Sequence, residues 1–167
     1  MQTKTQVPTF TGKPLIPEEI RAYLPQADFL GGEFGRAVLE EYNARVTKDY
    51  SDNKNLKYLK YNDELVKGSN PFAVVLVNQI IREQGVKTAT QADLEKILAL
   101  NVLNLQGTYQ DTALVLRNVE EPNSYLAKDL IKQGGETKLP VMIPLNSLEV
   151  RCDDKSPYGL AFNCTDR

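Results

Sequence analysis

Lys54, Lys57 and Lys60 recur at every third position, with Tyr58 and Tyr61 interleaved and Lys67 a little beyond. Cations that meet phosphates beside rings that stack on bases are how single-stranded nucleic acid is gripped. From Arg45 to Lys67 there are six basic residues against four acidic ones, a local balance of +2. A solvated face explains the same stretch more simply: the tyrosines, Leu56 and Leu59 pack inward and the lysines point out. Lys54, Lys57, Tyr58, Lys60 and Tyr61 are therefore the candidate nucleic-acid-binding residues of an alternative reading.

Carboxylates are the abundant catalytic group. Asp111, Glu149, Asp153 and Asp154 are candidates for holding a magnesium ion, which prefers oxygen ligands. Glu149-Val150-Arg151 has the acid-x-base spacing of metal-dependent nucleases, but with arginine in place of lysine. Asp153 and Asp154 sit in a stretch with turn composition, where aspartate ordinarily bonds its own backbone. A carboxylate-based divalent-metal enzyme is thus a second alternative.

The chain contains no histidine, which removes a histidine base, metal ligand or pH switch and every ordinary serine or cysteine triad. Gly31-Gly32-Glu33-Phe34-Gly35 lacks the preceding strand and the Lys-Ser/Thr of a phosphate loop, so it reads as a helix entry. No catalytic residue, cofactor or metal site is expected.

The elements that must position these residues follow from periodicity and punctuation. Phe34, Val38, Leu39, Tyr42 and Val46 recur at helical spacing over 33–48. Ser69-Asn70-Pro71 supplies a cap and a first-turn proline for a helix over 72–84 that is apolar on nearly every side and stops at Gly85. Thr88 and Gln91 have capping-box spacing for a helix carrying Leu94, Ile97, Leu98 and Leu100. These two helices invite a helix-turn-helix comparison, but Gln91 and Asp93 at the second N-terminus suit DNA poorly, and a plain helical hairpin is expected.

The later half turns to strands. Val102 to Leu105 and Thr112 to Leu116 are expected strands, followed by a helix opened by Pro122-Asn123-Ser124 and ended by Gly134-Gly135. Val141 to Ile143 fits a short edge strand between prolines. Leu148, Val150 and Cys152 alternate with Glu149 and Arg151, and Tyr158, Leu160, Phe162 and Cys164 alternate likewise, predicting a hairpin with one buried face. The simplest register sets Cys152 opposite Tyr158 and puts both cysteines in the core without a bridge between them.

At 167 residues, with 41% hydrophobic and 25% charged residues and a formal charge of −2, the chain suits one globular domain and no bulk affinity for nucleic acid. Its longest strictly apolar run, Phe72 to Val77, is far short of the ~20 residues that span a bilayer, and the first residues lack a signal peptide's apolar core. A cytoplasmic location without membrane contact is expected.

Residues 1–15 read as an extended arm whose Val7, Phe10 and Leu15, with Ile16 beyond, are anchors for the same domain or for a second subunit. Residues 16–167 then form a single α+β domain, with a helical N-terminal half packed on a small antiparallel sheet that ends in a C-terminal β-hairpin. The leading functional expectation is a non-enzymatic binding or assembly module acting through a protein partner or through self-association by the arm.

Overall fold

The computed structural model describes residues 26–68, 70–108, 110–116, 125–134 and 141–165. The N-terminal arm, the helix start at Ile16 and the Pro122–Ser124 helix opening lie outside them. The fold is α+β: among the described residues, four helices accompany three two-stranded antiparallel sheets. The expected single small sheet is thus divided into three.

Helix α1, Gly32–Asp49, buries Gly35, Val38, Tyr42 and Val46 along one side. Its Gly-Gly entry exists because two backbones touch. Gly31 bridges Leu65, a Cβ on Gly31 would strike the Glu64 carbonyl, and the Gly32 N–H donates to that carbonyl at 3.0 Å. Glu64 belongs to the tight loop between β1, Lys60–Asn62, and β2, Leu65–Lys67. Asp63 and Glu64 both have positive φ, 52° and 62°, as a type I′ hairpin turn requires.

Helix α2, Pro71–Ile81, is the centre of the molecule: eight of its 11 residues are buried. Asn70 caps it, its Oδ1 accepting from the N–H groups of Phe72 and Ala73 at 2.9 and 3.3 Å. Buried Asn78 is fully used, donating to Val74 O and Thr88 Oγ1 and accepting from the Thr88 N–H at 2.8 Å. That engagement removes Thr88 from its expected capping role. The capping box forms two residues later, between Thr90 and Asp93, and opens α3, Gln91–Ala99.

The expected strand over 102–105 does not form. Asn101 takes a left-handed φ of 53°, Asn104 Oδ1 accepts from the Gln106 N–H at 3.0 Å, and Thr108 N–H closes on Leu105 O. Local side-chain-to-backbone bonds replace a ladder here. β3, Ala113–Leu116, pairs with β4, Val141–Pro144, and α4, Tyr125–Gly134, lies between them in sequence.

The C-terminal hairpin joins β5, Leu148–Cys152, to β6, Leu160–Cys164, and buries Leu148, Val150, Leu160 and Phe162 as the alternation predicts. The register differs from the expected one, with Cys152 facing Leu160 and Cys164 facing Leu148. Tyr158 lies outside the strand, its ring 5.5 Å from that of Phe72 and its carbonyl accepting from Asn53 and Asn55, and a longer turn closes through Asp153 N–H to Gly159 O. Cys152 is therefore not a core residue. It stands exposed beyond the apolar face, its Sγ 3.5 Å from Asp49 O, whereas Cys164 packs partly against the core. The cysteines sit at opposite ends of the hairpin, too far apart for a bridge.

Side chains close both outer edges of this hairpin. On β5, Val150 N–H donates to Gln79 Oε1 at 2.8 Å, Val150 O accepts from the Tyr50 hydroxyl at 2.9 Å, and Leu148 O accepts from Arg82. Burial pushes the Tyr50 phenol above its usual value, which keeps it a donor. On β6, the Gln133 amide mimics a neighbouring peptide: its Nε2 donates to Phe162 O at 2.7 Å and its Oε1 accepts from Cys164 N–H at 2.9 Å. A two-stranded sheet would otherwise present unpaired edges to any passing strand. Helices α2 and α4, with Tyr50 just past the end of α1, occupy those edges instead.

Candidate functional site

The structure spreads the Lys/Tyr residues apart. Lys54 is exposed in a short 3-10 turn, and Lys57 forms an ion pair with Asp52 at 3.3 Å. Lys60 lies directly across β1–β2 from Lys67, which is itself paired with Asp63 at 2.9 Å. Tyr61 points to the other face of that ribbon. The Arg36 guanidinium sits 4.1 Å from its ring centroid, and its hydroxyl donates to Glu64 Oε2 at 3.1 Å. Burial and the bond to the Glu64 carboxylate raise its phenol above the ordinary value. Tyr58 alone keeps an open ring, at 51% exposure. A stacking platform needs several rings on one side of a cationic groove. This ribbon puts Tyr61 and Lys60 on opposite sides.

The carboxylates are likewise dispersed or used. Glu149 lies 3.7 Å from Arg82. Asp153 accepts from the Tyr125 hydroxyl at 2.7 Å, from Lys155 N–H at 2.9 Å and from Arg151 at 3.1 Å. Those bonds, the one from Tyr125 foremost, hold its carboxyl below the usual carboxylate range, and the same bond raises the Tyr125 phenol. Arg151 also reaches Asp129 at 2.7 Å, so this group ties α4 to the hairpin. Among the described residues no three His, Cys, Asp or Glu side chains gather as a metal site would require. The helical pair α2–α3 has its first member buried at the centre, where it cannot cross a phosphate backbone.

A concavity forms instead where sequence reasoning placed a strand. Helix α3 and the turns after it border an open surface cleft of about 550 Å³. Its apolar lining is Leu94 and Leu98 from α3 with Leu103 and Leu105 from the following segment. Gln91, Asn101, Asn104, Gln106 and Gln110 supply amides, Thr108 a hydroxyl, and no ionisable side chain takes part. The charged residues of α3 are engaged or turned elsewhere: Asp93 holds Thr90 and Lys87, and Glu95 and Lys96 are exposed outside the lining. The signal for this site is the Leu-Asn-Leu-Gln alternation over 103–106. In so short a segment alternation and turn chemistry compete, and here the turns win.

Among the described residues no helix is long and apolar enough to cross a membrane. No protein-family model, curated protein or solved structure matches the chain.

Proposed function

We propose that this protein is a non-enzymatic binding module that acts through contacts with another polypeptide. The observation that carries the reading is the uncharged cleft beside α3, where Leu98 remains 60% exposed. Apolar side chains left open in a concave site are what a protein partner covers. The reactive candidates elsewhere support the same reading, because Lys57, Tyr61, Glu149 and Asp153 are each held by an intramolecular partner. Self-association through residues 1–15 is the assembly form of this reading, and sedimentation of chains with and without residues 2–16 distinguishes it.

A photoreactive amino acid placed at position 98 tests the proposal in cells that make the protein. The expected result is a discrete cross-linked polypeptide that is absent when the probe stands at Lys54. Cross-linking to RNA or DNA from position 54 or 58, with none to protein from position 98, would overturn it in favour of the nucleic-acid reading.

A further inference from the structure

Tyr125, Asp129 and Gln133 fall four residues apart on α4 and so share one face of the helix. The hydrogen bonds of that face run without a break from the hairpin turn to the β6 edge. Tyr125 donates to Asp153 Oδ2 at 2.7 Å, and Arg151 Nη2 spans Asp153 Oδ2 at 3.1 Å and Asp129 Oδ2 at 2.7 Å. The same Asp129 oxygen accepts from Gln133 Nε2 at 2.9 Å. Gln133 in turn donates to Phe162 O and accepts from Cys164 N–H. Each side chain is thus oriented by the next. Arg151 couples the two halves: its Nη1 is buried without a partner, so loss of either carboxylate leaves a part-buried guanidinium poorly compensated.

The two edges of the hairpin are covered by very different helices. Gln79 closes β5 from α2, eight of whose 11 residues are buried, so that cover leaves only when the core does. Gln133 closes β6 from α4, where Leu130 alone is buried. The rest of the α4 attachment is the polar chain together with partly buried Leu126, Ala127 and Ile131. Elements with few buried apolar contacts open at lower free energy than the core.

We propose that α4 is a releasable cover of the β6 edge, latched to the hairpin by this five-residue hydrogen-bond chain, and that it opens as one unit while α2 and the β5 edge stay folded. Release frees the Phe162 carbonyl and the Cys164 N–H, so the chain controls whether the β6 edge is available for pairing. Because each member orients the next, a change at Tyr125 is felt at Gln133, about 12 Å along the helix, and at the Cys164 N–H that Gln133 holds.

Native-state hydrogen exchange of the full chain, read by NMR at neutral pH, tests this. The Leu130, Ile131 and Cys164 amides should exchange through one opening, at least roughly tenfold more populated than the opening that exposes Leu76 and Val77 in α2. Tyr125→Phe should lower the protection of Leu130 and Cys164 by the same factor, roughly tenfold, the loss expected of a hydrogen bond to a charged group. Gln79→Met should lower the protection of Leu76 and Val77 but leave Leu130 and Cys164 unchanged, because the Gln79 bond persists while α4 is released. Both substitutions keep the bulk of the side chain, so both variants should fold. Equal protection of α4 and α2, a Tyr125→Phe effect that stops short of Cys164, or a Gln79→Met effect that reaches Leu130 would each overturn the proposal.

Discussion

Gln79 and Gln133 each close one edge of the C-terminal hairpin, and the number of backbone groups they satisfy differs. Gln79 serves one, the Val150 N–H, whereas Gln133 serves two, the Phe162 carbonyl and the Cys164 N–H. Substitution of either by methionine keeps nearly the same length and volume and removes only the amide. A part-buried backbone group left without a partner costs about 1–3 kcal/mol. Gln79→Met should therefore cost about 1–3 kcal/mol and Gln133→Met about twice as much, with a further small loss from its bond to Asp129 at 2.9 Å. Urea titration followed by circular dichroism measures both, and an unchanged m-value licenses the comparison. The ratio is the sharper test, since errors common to both sites cancel. If Gln133→Met cost no more than about 0.5 kcal/mol, as an ordinary surface change does, the edges would be satisfied by water and the capping argument would fail.

Other expectations follow from the same packing. Tyr42 is fully buried and its hydroxyl has no partner among the described residues, so Tyr42→Phe should stabilise the fold by about 1 kcal/mol, a rise of roughly 2–4 °C in Tm; a fall of that size would mean that the hydroxyl is bonded. Asp63→Asn with Glu64→Gly relieves two left-handed residues in the β1–β2 turn but also removes the exposed Lys67–Asp63 and Arg36–Glu64 pairs and the Tyr61–Glu64 hydrogen bond, so the net change should stay within about 1 kcal/mol; differential scanning calorimetry reads it, and a loss well beyond that refutes the turn assignment. The Tyr125–Asp153 bond implies stability that fades at both ends of the pH scale. Asp153 titrates below its usual value when folded, so its share is lost as pH falls through that lowered value; Tyr125 titrates above its usual value, so its share is lost as pH rises through the raised one. Tyr125→Phe should flatten both arms of Tm against pH, and superimposable wild-type and variant curves would exclude the coupling.

Legibility in the sequence tracks how local the determining interaction is. Asn70-Pro71 opens α2 and Gly85 ends the 3-10 turn, Arg82–Gln84, that continues it, each within the few residues that read them, and the apolar run of α2 needs only burial to be helical. The hairpin faces were legible for the same reason, because the register differs from the expected one by two residues, a shift that leaves every side chain on its own face. Its register was not, since the partners of Tyr158, the Phe72 ring and the Asn53 and Asn55 amides, lie 86 or more positions away in the chain. The Thr88 cap was lost to Asn78, another partner outside its own helix. The geometry of the Lys/Tyr stretch was hidden in the same way: Tyr61 and Lys60 look like one stripe along the chain, and only pairing with β2 reveals that they face opposite ways. The cleft beside α3 needed the helix and the following turns to fold against one another before its leucines shared a surface.

Closure of the β5–β6 edges bears on where a partner can add. Strand addition to that hairpin would have to displace Gln79, Tyr50 and Arg82 on one side or Gln133 on the other, each already bonded to the backbone it shields. The outer face of β3–β4 shows the cross-strand pair Val115 and Met142, both 60% exposed, but offers a partner only apolar contact. Such a face attracts without fixing register or direction. The cleft beside α3 sets leucines beside amides, four of which have no side-chain hydrogen bond among the described residues, and directional hydrogen bonds are what convert apolar attraction into one bound arrangement.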